Sequence, residues 1–434
     1  MAMTTTPIES AASRTGNGEK DYTIPLVVLT SLFFMWGLIT SLNDILIPHL
    51  KGIFTLSYVQ VMLIQFSFFG AYLVMSFPSG YLVERLGYQN GIIVGLATAG
   101  IGCLLFYPAA GTASYPFFLA ALFILAAGIT LLQVAANPYV AVLGKPATAS
   151  SRLNLTQAFN SLGTTIGPFV GALLILSAVS ASPEGTAGTA ARAAEEARTV
   201  QGPYLGLAAT LFLIAIAFSR FKLPSITETH ASPDATPGAG ASHSVWEYRH
   251  LVLGAVGIFV YVGAEVSIGS FLVNFMAQPE IGGLPENVAG RYLSFYWGGA
   301  MVGRFIGSAV LRTVKPGYVL AFNASVVVIL LAVAMASAGT VAMWAVIAIG
   351  LFNSIMFPTI FTLAIDGLGP RTGEGSGVLC MAIVGGAIIP VVQGFAADRV
   401  GILPSFIVPL VCYLYIVYYG LKGYRADITR AMAH

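Results

Sequence analysis

The sequence predicts an all-α polytopic membrane protein with twelve transmembrane helices in two pseudo-symmetric six-helix bundles. Hydrophobic residues make up 57% of its 434 residues and charged residues only 9%, whereas a soluble chain carries about 25% charged residues. Apolar runs of about 20 residues, long enough to cross a bilayer core, recur along the whole length. They form two sets of six, separated by one polar stretch near the midpoint of the chain.

The spans follow one another with short connections. They are predicted at 24–47, 58–83, 90–110, 116–143, 153–179, 203–220, 250–275, 291–311, 318–338, 341–365, 375–397 and 403–422. The stretch at 222–247 is rich in Pro, Ser, Ala and Gly, which is typical of a flexible linker. It divides an N-terminal bundle at 23–221 from a C-terminal bundle at 248–423, and residues 1–22 and 424–434 are predicted to be tails.

The basic residues predict the orientation. With a cytoplasmic N-terminus, fourteen Lys and Arg residues fall in inner segments and five in outer segments, as the positive-inside rule requires. Both tails and the linker are then cytoplasmic. Residues 1–22 contain no apolar segment, so no cleaved signal peptide is expected. The three cysteines lie in predicted spans without metal-binding spacing, which favours free thiols.

The two halves resemble each other in sequence. LLQVAANPYV at 131–140, in the fourth span, aligns with LFNSIMFPTI at 351–360, in the tenth, and this alignment places Gln133 over Asn353. In the fifth and eleventh spans, Gly163 falls over Gly385. Internal repeats around a cavity at the membrane midplane are typical of secondary transporters, and the prolines in these spans predict bent helices.

Two carboxylates lie within predicted spans. Asp44 belongs to the first span and Glu265 to the seventh. An ionised carboxylate at bilayer depth costs at least about 2.5–3.5 kcal/mol on insertion scales, so such residues usually mark an ion or substrate path. A carboxyl group buried without a basic neighbour also takes up a proton more readily than one in water. Both residues are therefore predicted to couple transport to a cation, H⁺ or Na⁺; the alternative for Asp44 is an inert carboxylate near the helix end.

Amide side chains supply most of the remaining polarity inside the spans. Amides offer both donors and acceptors, which suits a neutral polyhydroxylated ligand, and aromatic rings can stack on a sugar. The predicted substrate site comprises Asn43, Gln65, Gln133, Asn137, Gln157, Asn160, Tyr261, Trp297 and Asn353. For each amide alone, a contact between helices is the competing interpretation.

One basic residue, Arg304, lies deep within a span. We expect it either to pair with a carboxylate or to close the inner gate, and the alternative is an arginine that extends to the cytoplasmic surface.

The loop GYLVERLGYQNG at 80–91, between the second and third spans, resembles the loop signature of the major facilitator superfamily. The resemblance implies that Glu84 and Arg85 latch the inner ends of helices. Glu84 stands where the signature usually has Asp.

SLNDILIP at 41–48, LLQVAANPY at 131–139 and RLNLTQAFNSLG at 152–163 resemble the fucose–galactose–glucose:cation symporter family within that superfamily. The resemblance covers essentially all twelve spans. It implies import of a hexose with a cation by alternating access, across a bacterial inner membrane, and usually by a monomer. It also implies that Asp44, Gln133 and Asn160 serve the substrate and the proton.

Gln133 departs from the fucose-type pattern, because an amide cannot take up a proton where those members carry a Glu. Together with Glu265, it resembles the glucose/galactose-type branch. We therefore expect that the acidic coupling site has moved from the N-terminal to the C-terminal bundle.

Several alternatives stay open. N-acetylglucosamine or fucose would suit the same amides, and an efflux antiporter for sugars or drugs could use the same fold. An enzyme is disfavoured because catalytic motifs of the H-E-x-x-H and G-x-S-x-G types do not occur. No cofactor, metal centre or nucleic-acid partner is expected; the predicted partners are a hexose, H⁺ or Na⁺, and the lipid bilayer.

Overall fold

The computed structural model describes residues 22–54, 58–112, 114–171, 201–220 and 244–425. Within these ranges it does not describe the side chains at 40–54, 58–62, 65, 168–171, 286 and 287. Most of the predicted linker and both predicted tails lie outside the described residues.

The described chain consists of helices joined by short turns. The helices are α1 (Thr23–Phe54), α2 (Tyr58–Leu86), α3 (Tyr88–Gly111), α4 (Tyr115–Val142), α5 (Ala149–Gly171), α6 (Gln201–Arg220), α7 (Arg249–Met276), α8 (Glu286–Val310), α9 (Pro316–Ala336), α10 (Gly339–Asn353), α11 (Met356–Ala364), α12 (Thr372–Met381), α13 (Gly385–Val400), α14 (Ile402–Ser405) and α15 (Ile407–Tyr418). The tenth and eleventh predicted spans are each divided, into α10–α11 and α12–α13, and the twelfth into α14–α15 with a π-helical turn at Tyr419–Gly423.

Nine helical stretches of the described chain are long and apolar enough to cross a membrane. Neither α5 nor α8 is among them, although both are long helices. These two helices carry Gln157, Asn160 and Arg304, so their polarity reflects the predicted site that they help to form.

Large apolar side chains cover the outside of the molecule. Phe66 is 70% exposed, Leu213 66%, and Phe322 and Phe395 63% each. Many large exposed apolar side chains mark contact with lipid or with a partner. In a chain with membrane-length helices, it is the face that meets the bilayer.

Proline explains why the tenth span is divided. Pro358 has no N–H for the carbonyl of Ser354, and its ring crowds that carbonyl. The helix is interrupted at Ser354 and Ile355 as a result. The equivalent Pro138 lies inside α4, which stays continuous.

Glycines bring equivalent helices of the two halves into the same close contact. A side chain at Gly163 of α5 would collide with the carbonyl oxygen of Phe34 in α1, and one at Gly385 of α13 would collide with the carbonyl oxygen of Phe259 in α7. Phe34 and Phe259 are therefore equivalent positions, and the sequence repeat is also a structural repeat.

Arg152 fixes the turn between α4 and α5. Its guanidinium donates to the carbonyl oxygens of Ala141 (2.7 Å), Lys145 (2.8 Å) and Val140 (3.3 Å). The last carbonyls of a helix have no partners within the helix, and a basic side chain here satisfies them. The start of α5 is thereby held against the end of α4.

The two halves contact each other at the end of the molecule where α1 begins. We call this region the inner interface. Its members are Ser76, Gly80, Glu84, Val134, Ser150, Ser151, Asn154 and Ser161 of the N-terminal half, and Arg304, Ser308, Thr359, Thr362, Gly373, Glu374, Ser376 and Gly377 of the C-terminal half.

Hydroxyl groups make many of the bonds in the inner interface. Ser150 and Thr362 are 2.6 Å apart, the Ser151 hydroxyl donates to the carbonyl of Ser308 (2.5 Å), and Ser376 donates to the carbonyl of Val134 (2.9 Å). Neutral bonds of this kind are individually weak, at about 0.5–1.5 kcal/mol net each. The interface can therefore hold the halves together and still be separable.

Candidate functional site

The polar centre of the C-terminal half is a frame of three tyrosines around Asn353. The Asn353 amide donates to the hydroxyl of Tyr296 (2.8 Å) and accepts from the hydroxyl of Tyr413 (2.7 Å). The Tyr261 hydroxyl donates to the backbone carbonyl of Asn353 (3.0 Å). All four side chains are fully buried. In this conformation, Asn353 and Tyr261 use their polar groups within the frame and present no surface to a ligand.

Glu265 lies against this frame. Its backbone carbonyl accepts from the Tyr296 hydroxyl (3.3 Å), and its side chain lies beside Tyr261. Its Oε1 is buried and has no hydrogen-bond partner. A buried carboxylate oxygen without a partner is costly, so this atom is the feature of the C-terminal half that most requires a ligand.

Arg304 joins the two halves beside Glu265. Its Nη1 donates to the hydroxyl of Ser161 in α5 and its Nε to the backbone carbonyl of Ser354 (3.2 Å). The Ser354 carbonyl is the one that Pro358 leaves without a helical partner. The guanidinium also interacts electrostatically with Glu265. Arg304 therefore makes a contact between the halves and interacts electrostatically with a carboxylate.

The amides of the N-terminal half keep free hydrogen-bonding atoms. Gln133 of α4 donates from Nε2 to the hydroxyl of Tyr72 (2.8 Å), while its Oε1 is buried without a partner. One turn further along, Asn137 accepts from Gln157 of α5 at a long 3.5 Å, and its Nδ2 has no partner. The pair therefore offers one acceptor and one donor.

Asn160 and Gln157 contact different helices although both lie on α5. Asn160 is half-buried and donates to the backbone carbonyl of Phe33 in α1 (2.9 Å). The Gln157 side chain is bonded towards α4, and its backbone carbonyl accepts from the hydroxyl of Ser161 (3.1 Å), the residue that contacts Arg304. Ser161 and Arg304 thus connect the backbone of α5 at Gln157 with the C-terminal half.

Trp297 lies on the face of α8 that meets α5. Met301, Arg304 and Ser308 follow it at helical spacing, and each contacts α5. The Trp297 ring packs edge-on against Tyr296 (centroids 5.1 Å apart), and the residue is 43% exposed. Its ring also lies beside Gly269 of α7.

Asn43, Asp44 and Gln65 lie in helices, but their side chains are outside the described residues. The backbone nevertheless fixes the register of Asp44. It follows Phe34 by ten residues, whereas Glu265 follows the equivalent Phe259 by six. Along the backbone, position 44 therefore lies about one helical turn further from its equivalent glycine contact than position 265 does.

Glu84 and Arg85 lie at the end of α2. Glu84 Oε1 accepts from the backbone N–H of Glu374 near the start of α12 (3.0 Å), and Arg85 stacks on Tyr81 of its own helix (4.3 Å from the ring centre). Glu374 in turn pairs with Arg371 (2.9 Å). Glu84 thus bonds across the inner interface, while Arg85 stays on its own half.

Four residues of the site were missed from the sequence: Tyr72, Tyr296, Tyr413 and Ser161. A tyrosine in the middle of a span would have been a usable signal, because its hydroxyl usually finds a partner when buried. Ser161 gave none, since serine is common in membrane helices. Among the described residues, no group of three or more His, Cys, Asp or Glu side chains could hold a metal ion.

Membrane-length helices, a repeated half and a polar site between the halves define a multi-pass membrane transporter. The chain belongs to the major facilitator superfamily, whose family model matches residues 28–390. It is 56% identical over 424 residues to a glucose/galactose transporter of Brucella abortus biovar 1 (strain 9-941), covering 98% of this chain and 100% of the relative.

The chain is also 36% identical over 418 residues to the L-fucose-proton symporter of Escherichia coli (strain K12), covering 94% of each. The crystal structure of the transporter FucP in the outward conformation matches with a TM-score of 0.83 at 34% identity, covering 92% of this chain and 98% of that one. The predicted family, the twelve-helix fold and the expectation of a transporter rather than an enzyme are thereby confirmed.

Proposed function

We propose that the protein imports a hexose, with glucose or galactose the favoured substrate, together with a cation, by alternating access. The observation that carries this proposal is the set of buried atoms without partners: Gln133 Oε1 and Asn137 Nδ2 in one half, and Glu265 Oε1 in the other. The similarity to glucose/galactose transporters supports the choice of substrate.

The amide atoms fit a sugar better than an apolar drug. A hydroxyl group both donates and accepts, so one sugar hydroxyl can donate to Gln133 Oε1 while another accepts from Asn137 Nδ2. Leaving a buried polar atom unpaired costs about 1–3 kcal/mol, and a bound sugar removes that cost. Trp297 supplies an aromatic face for the ring, and Gln157 and Ser161 extend the polar wall of the site towards Arg304.

Glu265 is the proposed coupling residue of the C-terminal half. Its carboxylate can bind a proton directly, or contribute an oxygen ligand to Na⁺. Gln133 cannot take up a proton, so the N-terminal half contributes its proposed acidic site through Asp44 alone. Tyr296 of the frame bonds to the backbone carbonyl of Glu265, which helps to keep the carboxylate in one place.

The proposed setting is a bacterial cytoplasmic membrane, with both tails and the linker cytoplasmic and the protein monomeric. The distribution of basic residues supports this orientation. The inner interface then faces the cytoplasm, and the described conformation is closed on that side.

The test is uptake of radiolabelled hexose into proteoliposomes of the purified protein, with a pH gradient and a Na⁺ gradient imposed separately. We expect accumulation under one gradient and competition by both glucose and galactose. Facilitated equilibration without accumulation under either gradient would contradict coupling, and the absence of any hexose flux would contradict the substrate class.

A second candidate is an L-fucose or N-acetylglucosamine symporter with the same site. The similarity to the L-fucose-proton symporter supports fucose. The same assay separates the candidates, because unlabelled fucose or N-acetylglucosamine would then compete more strongly than glucose.

A further inference from the structure

Arg304 contacts both halves of the described structure. Its guanidinium bonds to Ser161 of the N-terminal half and to Ser354 of the C-terminal half. The contact with Ser161 crosses between the halves, so separating the halves at the inner interface breaks it. The contact with Ser354 lies within the C-terminal half and does not depend on closure. Closing the interface therefore adds a partner to Arg304 and at the same time removes water from its guanidinium, which is half-buried.

Glu265 supplies the charge that opposes Arg304. The groups that face Glu265 are Arg304 and Tyr296 of α8, Tyr261 of its own helix and Tyr413 of α15. The tyrosines are neutral donors, and α11 contains no titratable residue. The hydrogen bonds of Arg304 go to Ser161 and Ser354 rather than to the Glu265 carboxylate, so the two charges interact through the field between them.

The sign of this interaction follows from desolvation. A guanidinium between two packed halves is costly unless an opposite charge compensates it. While Glu265 is ionised, its charge compensates Arg304 and the closed interface is stable. When Glu265 binds a proton or a cation, this compensation is lost, and opening the interface becomes more favourable because it hydrates Arg304.

We propose, on the footing of the proposed function, that Arg304 transmits the charge state of Glu265 to the inner interface. Binding of the cation at Glu265 then releases the contact between Arg304 and Ser161, and the transporter opens on the cytoplasmic side only when it is loaded. Arg304 is a coupling residue that acts through Ser161 and Glu265, and it needs no contact with the sugar.

The test measures the opening directly. Leu86 at the end of α2 and Val314 beyond the end of α8 are exposed positions on the same side of the molecule, and the three native cysteines are buried. Spin labels on the variants Leu86→Cys and Val314→Cys report the distance between the halves by pulsed electron resonance in lipid nanodiscs. The measurement is made in mildly alkaline and mildly acidic buffer, each with and without Na⁺.

In the otherwise unaltered protein, we expect acid or Na⁺ to raise the open population at least about fivefold, the lower end of typical coupling between two sites. Arg304→Gln keeps a hydrogen-bond donor but removes the charge, so the open population of this variant should no longer change with acid or Na⁺. Arg304→Lys keeps the charge and should restore part of the response. Glu265→Gln should be fixed near the acid or Na⁺ value.

Ser151→Ala is the matched control. Ser151 joins the same two helices as the Arg304–Ser161 contact, but without charge. Its loss should raise the open population equally under all conditions and leave the response intact. A response as large in Arg304→Gln as in the parent protein would overturn the proposal while leaving the proposed symport standing. A parent protein that responds to neither acid nor Na⁺ would likewise overturn the proposal, whereas the proposed symport stands or falls by the accumulation assay.

Discussion

The fourth span and the tenth span occupy equivalent positions in the two halves and carry equivalent prolines, yet they differ. α4 is continuous through Pro138, whereas Pro358 separates α10 from α11. Each proline frees one backbone carbonyl. Ser376 of the opposite half bonds to the carbonyl freed in α4, while Arg304 of the same half bonds to the carbonyl of Ser354, freed between α10 and α11.

The equivalent amides differ in the same way. Gln133 and Asn353 each donate to a tyrosine hydroxyl at 2.8 Å. Asn353 is also saturated on its oxygen by Tyr413, whereas the oxygen of Gln133 has no partner. One repeat therefore has buried amide atoms without partners, which the proposed function assigns to the substrate, while the other has a bonded frame beside a carboxylate.

Glu265→Gln should have the largest effect. A membrane potential of about 100 mV supplies about 2.3 kcal/mol per charge, enough for about 50-fold accumulation of sugar. Without a carboxyl at this position, we expect no accumulation above equilibration under the active gradient. Glu280→Gln, in an exposed position of the same half, is the control and should accumulate normally. Undiminished accumulation by Glu265→Gln would place the coupling elsewhere.

Gln133→Ala and Asn137→Ala should each raise the KM for sugar without abolishing accumulation at saturating sugar. Losing the partner of a buried sugar hydroxyl costs about 1–3 kcal/mol of binding free energy, which raises the KM about 5- to 150-fold. Thr130→Val removes a hydroxyl that bonds within α4 and should leave the KM unchanged. Concentration-dependent uptake gives these values, and an unaltered KM in both amide variants would exclude them from the sugar site.

Asn353→Ala should act on stability. It leaves the hydroxyl of Tyr413 without its acceptor, at about 1–3 kcal/mol for an unsatisfied group, while the hydroxyl of Tyr296 keeps its bond to the Glu265 carbonyl. The midpoint of thermal unfolding in detergent should fall clearly. Asn323→Ala is the control, because Asn323 bonds only within its own helix (2.9 Å). Equal midpoints for the two variants would mean that the frame does not stabilise the C-terminal half.

Pro358→Ala should have the smallest effect on transport that is still measurable. An alanine N–H can bond to the Ser354 carbonyl and compete with Arg304, at about 0.5–1.5 kcal/mol or about two- to tenfold in turnover. Pro138→Ala should change turnover less, because α4 is already continuous. If the two proline variants slowed uptake equally, the division of the tenth span would have no role of its own.

Much of the architecture could be predicted from the sequence, because spans are set by length and hydropathy and the repeat by glycine and proline. Pro358 predicted a bend in the tenth span. It did not predict that the backbone carbonyls of Asn353 and Ser354 would accept bonds from Tyr261 and Arg304. Those contacts join residues far apart in sequence, and no local pattern specifies them. Likewise, the sequence placed Gln157 and Asn160 on one face, whereas packing directs them to α4 and α1.

The most direct test of this division between the repeats uses two assays on the same proteoliposomes. Exchange of labelled for unlabelled sugar needs the sugar site alone, whereas accumulation also needs the cation site. We predict that Glu265→Gln retains exchange and loses accumulation, while Gln133→Ala accumulates sugar at saturation but exchanges poorly at low concentration. The reverse pattern, with exchange lost in Glu265→Gln and coupling lost in Gln133→Ala, would contradict the account.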